Sequence, residues 1–195
     1  MTEPTTRARI VAAADLLFYR RGFEHTSFAA IADAVGISRG NFYYHFRTKD
    51  EILAAVIDLR LANTRRMLAA WERQADDPEQ RILSFIHILI GNRTKIKRHG
   101  CPVGTLCTEL AKLEHSSRAD ANKVFTLFRA WLRGQFRLLG HHADADELAM
   151  HVLAWSQGVA ALANAFRDET FIHNEVRRIS QWLRDCAATA ADSAA

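Results

Sequence analysis

Hydrophobic residues recur along this chain at three- and four-residue spacings from near its start almost to its end. Within residues 26–53, TSFAAIADAVGISRGNFYYHFRTKDEIL, the apolar Phe28, Ile31, Ala32 and Val35 fall at i, i+3, i+4 and i+7. That spacing predicts a helix of about two turns with one buried stripe. Gly36 follows, and a glycine takes the left-handed conformation that ends a helix without a Cβ clash. Ser38 can cap a second short helix. On it Phe42 and Phe46, at i and i+4, point to the core, leaving Arg39, Gly40, Asn41, Tyr43 and Tyr44 outside. Two short helices across a tight turn, the second showing a cation, an amide and two phenols, make a helix-turn-helix.

The pattern continues on both sides. Thr5 or Thr6 caps a first helix with the stripe Ile10, Ala14, Leu17 and Phe18, and Gly22 ends it, with Phe23 folding back. Thr48 caps a long fourth helix whose apolar positions Ile52, Val56, Leu59, Met67 and Trp71 run past the helix-turn-helix, as a rigid strut between two domains would. Asp50 and Glu51 suit the dipole of its first turn. Asp76-Asp77-Pro78 breaks the chain before a fifth helix carrying Ile82, Phe85, Ile86, Leu89 and Ile90 and closing in the basic run Arg93, Lys95, Lys97 and Arg98. A sixth helix follows Gly100-Cys101-Pro102, a seventh spans about 117–139, an eighth about 146–166 and a ninth about 174–188, before an Ala/Ser tail predicted to be disordered. The expected fold is all-α, with a three-helix helix-turn-helix domain over 1–61 and a helical domain over 62–195.

Composition narrows the function. Three prolines and nine glycines in 195 residues fit an all-helical chain. The net charge of +4 is mild, and the first fifty residues hold seven Lys/Arg against five Asp/Glu. Binding to nucleic acid must therefore rest on placed charges rather than a large field. With no signal peptide and no 18-residue apolar run, a soluble cytoplasmic protein without a membrane partner is expected. Three cysteines give no disulfide framework, and His99, Cys101 and Cys107 lack a familiar metal spacing. No nucleophile–base set or phosphate-cradling glycine loop appears, so neither an enzyme nor a cofactor is expected.

The run T-S-x-x-x-I-A-x-x-x-G-I-S-R-G-N-F-Y-Y-H-F-R-T-K-D-E-I-L, with the first-helix pattern upstream, resembles the TetR family of bacterial transcriptional regulators across about residues 5–61. SRGNFYYHF is similar to the recognition helix of the family's multidrug-binding repressors. The resemblance implies that the third helix enters the major groove of a double-stranded operator, where Arg39, Gly40, Asn41 and Tyr43 face base edges. Arg39 would pair with guanine and Asn41 with adenine. Thr26, Ser27, Ser38, Tyr44, His45 and Lys49 would hold the phosphate backbone. Ala29 and Ala30 fill the region where some members carry a base-reading arginine, so base reading falls to the third helix.

The same resemblance implies a C-terminal domain that binds a small-molecule effector and dimerises. Trp71, Phe85, Leu89, Cys107, Phe125, Phe128 and Trp155 are its candidate pocket residues, although their helical spacing suits a core equally well. Glu109 is either a polar anchor there or an exposed glutamate. Gly158, Ala161 and Ala165 form a small-residue strip, with Ile179, Trp182 and Leu183 as a matching apolar stripe, for a four-helix homodimer interface. Two-fold symmetry predicts an inverted-repeat operator. The expected function is a repressor released from DNA by its ligand. Two alternatives stand beside it: a thiol sensor working through Cys101 or Cys107, and an architectural DNA-binding dimer without an effector.

Overall fold

A computed structural model describes residues 4–192. Their element order is α1 (Thr6–Arg21), α2 (Phe28–Val35), α3 (Arg39–His45), α4 (Lys49–Gln74), α5 (Pro78–His99), α6 (Pro102–Lys112), α7 (Arg118–Leu138), α8 (Ala145–Phe166) and α9 (Glu169–Asp192), with no strand among the described residues. The caps act as expected. Thr5 accepts from the Ala8 N–H at 3.2 Å, Ser38 from Asn41 at 3.3 Å and Thr48 from Glu51 at 3.1 Å. Gly22 and Gly36, at φ of 88° and 72°, end α1 and α2.

The C-terminal boundary differs from the expectation. α9 begins at Glu169 rather than near Asn174, because the Asp168 carboxylate accepts the Thr170 and Phe171 N–H groups at 2.8 and 3.1 Å. It continues through part of the expected Ala/Ser tail to Asp192, and the rest of that tail lies outside the described residues.

The chain divides into two compact units. The first contains the chain up to Thr64 together with Pro102–Val124, so α6 folds with the helix-turn-helix instead of with the C-terminal domain. The expected boundary at Leu61 therefore moves slightly, and the C-terminal half lends a segment to the N-terminal unit. The core of this unit holds Ile10, Phe18, Ile31, Phe42, Phe46, Ile52, Leu53, Val56 and Leu110, each at most 3% exposed. Within it Arg60 binds Asp15 at 2.7 Å and the Pro102 carbonyl at 2.6 Å.

The second unit contains Arg65–Cys101 and the chain from Phe125 onward. α5 packs against both α8 and α9. Ala149, Ala160 and Ala163 are buried on the inner face of α8, where small side chains let the helices approach closely. Arg81 ties off the last turn of α4, donating to the Glu72 and Ala75 carbonyls and to buried Gln135. Arg167, itself in the left-handed region at φ 56°, donates to the Lys97 and Arg98 carbonyls at the end of α5. The basic run there is partly neutralised, with Lys97 and Arg93 at 2.7 and 3.5 Å from Glu169. The hydrogen bond from Lys97 holds the Glu169 carboxyl below its ordinary range.

The expected dimer residues separate here. Ile179 and Leu183 are buried inside the unit, at 5% and 0% exposure, so they are core residues and not dimer surface. Trp182 is half-buried, between Phe136 and the His151 ring at 4.7 Å. Gly158, Ala161 and Ala165 are exposed on α8 and lie beside exposed Met150, Leu162 and Phe166. Of the two helices, α8 thus presents the exposed apolar strip, while Ile179 and Leu183 of α9 are buried within the unit.

Candidate nucleic-acid interface

α3 is only seven residues long, and what fixes it is its buried side. Phe42 and Phe46 are each 1% exposed. Phe42 packs on Phe28 with ring centroids 5.2 Å apart, and the Arg7 guanidinium lies 4.6 Å over the Phe46 ring. With that side pinned, Arg39, Gly40 and Asn41 are exposed along the opposite edge. Tyr43 is half exposed and braced edge-on against Phe28 at 5.7 Å, while Tyr44 is 86% exposed and stands against the His45 ring at 5.2 Å. The ring contact with Phe28 limits Tyr43 to few rotamers, whereas Tyr44 extends into solvent. Ser27 and Ser38 are exposed at the caps of α2 and α3.

Gly40 carries a separate signal. It lies inside a helix, where glycine costs about 0.5–1 kcal/mol relative to alanine. A Cβ added there would meet nothing within 4 Å. Packing within the protein therefore gives no reason for the missing side chain.

Two expected phosphate contacts are placed otherwise. Thr26 is 1% exposed and its hydroxyl donates to the Gly22 carbonyl at 2.7 Å, so it stabilises the α1–α2 turn. Lys49 is half-buried, and its Nζ donates to the Phe23 and Glu24 carbonyls at 3.0 and 3.1 Å, 4.3 Å from the Phe23 ring centroid. Two of its three donors are thereby committed to the same turn. Glu109, read from sequence as an anchor in the other domain or as a solvated side chain, accepts the N–H groups of Phe23 and Glu24 at 2.8 and 2.9 Å. A local pattern could not reveal this, since the partners lie more than eighty residues apart in sequence.

Residues 10–56 match the model for bacterial regulatory proteins of the tetR family, and residues 64–178 match the C-terminal domain of LmrA/YxaF-like transcriptional regulators. The chain belongs to the TetR family. It is similar to the HTH-type transcriptional regulator TtgR of Pseudomonas putida, at 31% identity over 79% of this chain and 78% of that protein. UidR of Escherichia coli shares 32% identity over 47% of this chain and 48% of its own. Among solved structures, a TetR transcriptional regulator from Legionella pneumophila superposes with a TM-score of 0.83 at 26% identity, covering 93% of this chain and 98% of that one. This TetR-family chain is a DNA-binding transcriptional regulator, and its relatives are regulators and not enzymes. No helix among the described residues is long and apolar enough to cross a membrane.

Six of the seven candidate ligand residues, all but Cys107, fall in the second unit. Phe85 and Phe128 meet edge-on at 5.2 Å and are buried, as is Leu89. Trp71 packs on Trp131 at 5.6 Å, and the Trp131 indole donates to Glu72. Phe125 is half-buried at the start of the second unit's share of α7. Cys107 falls in the first unit and is buried, at 8% exposure. Cys101 is half-buried just before Pro102. The Cys186 thiol, which no sequence signal singled out, is pushed up by burial and then by Asp144 and Asp185, which disfavours the reactive thiolate. Trp155 is half-buried, and its indole N–H finds no acceptor among the described residues.

Proposed function

We propose that this TetR-family regulator is a homodimeric repressor that reads an inverted-repeat operator with α3 and leaves it when a small molecule occupies the C-terminal unit. The carrying observation is the exposed edge of α3, where Arg39, Gly40 and Asn41 stand together over a fully anchored base. Arg39 matches the two acceptors of guanine, and Asn41 the donor–acceptor pair of adenine. Gly40 is explained by close approach of the DNA. Accordingly Gly40→Ala should raise the melting temperature slightly while weakening operator binding about tenfold, read by unfolding and by fluorescence anisotropy. Unchanged affinity would remove Gly40 from the contact.

The effector reading is supported by the buried, unpaired Trp155 N–H, a donor that an oxygen-bearing ligand would satisfy. The aromatic cluster of Phe85 and Phe128 suits a flat or lipophilic molecule. The exposed α8 strip supports a two-fold contact with a second copy, and α8 is the helix on which Trp155 lies. Ligand and DNA should weaken each other reciprocally, by ~1–3 kcal/mol. A panel of aromatic amphiphiles tests this. At least one should both raise the melting temperature and release a labelled duplex selected by the protein from a random library. A panel whose binders never alter DNA affinity would favour the architectural dimer.

A further inference from the structure

The turn between α1 and α2 is held from both edges of its backbone. On the amide edge, Glu109 Oε2 accepts from Phe23 at 2.8 Å and Oε1 from Glu24 at 2.9 Å. On the carbonyl edge, Lys49 Nζ donates to the oxygens of the same two residues. Gly22 leaves the space for the carboxylate, since a Cβ at that residue would come within 2.8 Å of Oε1. His115, from the same C-terminal segment as Glu109, packs edge-on against the Phe23 ring at 5.2 Å and sets Nε2 3.4 Å from Asp50. Bonds to an ionised carboxylate are the strong class, and this one takes two N–H groups at once. Three residues beyond Glu24 stands Ser27, the cap of α2, and after it come α2 and α3.

The segment Pro102–Val124 lies within the stretch matched by the C-terminal family model, yet it folds with the DNA-binding unit, while the chain on both sides of it belongs to the other unit. We propose that Glu109 is the positioning residue through which the C-terminal half of the chain sets the helix-turn-helix. With the carboxylate seated, the α1–α2 turn directs α2 and α3 into the arrangement that reads DNA. With it withdrawn, two amides lose their acceptor and that arrangement loosens. The inference rests on DNA reading by α3, proposed above.

The test uses the full-length protein, a duplex recovered by the wild type from a random-sequence library, and a scrambled duplex of equal length. Glu109→Ala should bind the recovered duplex about tenfold more weakly, with a much smaller change on the scrambled one. Glu109→Gln should fall between, because its single carbonyl accepts one N–H while its amide group faces the other. Thr108→Ala, an exposed neighbour on α6, should bind as wild type. In free Glu109→Ala, hydrogen exchange should speed up in α2 and α3 and stay unchanged in α8. A folded Glu109→Ala that binds like wild type overturns the proposal. So does an equal loss on both duplexes, or, if the alanine variant does not fold, a Glu109→Gln indistinguishable from wild type. A wild type that recovers no preferred sequence would instead strike the reading of α3. In that case unchanged exchange in α2 and α3 of the variants would still overturn the role of Glu109.

Discussion

Phe42→Ala should abolish operator binding by releasing α3 from its own domain. A seven-residue helix is far below the length at which helices persist alone, so its order comes from packing. Phe42 is the centre of that packing, 1% exposed and in contact with Phe28, which also braces Tyr43. Removing a buried phenylalanine ring costs about 3–5 kcal/mol, through lost transfer energy and the cavity left behind. That is a large share of the roughly 5–15 kcal/mol that holds a typical domain together. Denaturant unfolding should show the loss in the N-terminal unit, and DNA binding should vanish with it. A variant within about 1 kcal/mol of wild type would mean that α3 is held mainly by something other than Phe42.

Arg39→Ala should act differently, removing preference without removing fold. Arg39 is exposed at the first position of α3 and, among the described residues, pairs with no carboxylate, so nothing in the protein depends on it. A bidentate arginine–guanine contact is worth about 1–3 kcal/mol per half-site, and a dimer loses it twice. Affinity for the recovered duplex should fall towards that for scrambled DNA, and substituting the guanine should no longer matter to the variant. The melting temperature should stay where it was. Equal losses on recovered and scrambled duplexes would assign Arg39 to the phosphate backbone instead.

These expectations follow from features of different range. The helix-turn-helix was legible because its determinants are local: the Phe28–Val35 stripe, Gly36, the Ser38 cap and the Phe42–Phe46 pair all act within one turn or two. The same locality explains why the caps at Thr5 and Thr48 could be read. Lys49 and Glu109 could not, because the turn that binds them is brought to them by tertiary packing. Periodicity marked Ile179 and Leu183 as apolar, but it cannot say which neighbour covers an apolar face. In the fold the inner face of α9 packs on α5, leaving α8 to present the exposed strip. The sequence groups Cys107 with the effector candidates, whereas α6 folds with the DNA-binding unit. The early start of α9 depends on the Asp168 cap, a single-residue signal that is weak beside the apolar pattern that follows it.

The most direct measurement is selection of bound duplexes from a random-sequence library by the purified full-length protein, followed by footprinting of the recovered sequence and sedimentation of the complex. Two copies of α3 related by a two-fold axis should recover an inverted repeat. Its half-site centres should lie about one helical turn, or a multiple of it, apart. The repeat should carry a guanine whose substitution hurts the wild type and not Arg39→Ala, and the bound species should contain a dimer. Recovery of no preferred sequence, or of a single half-site protected by a monomer, would contradict the account.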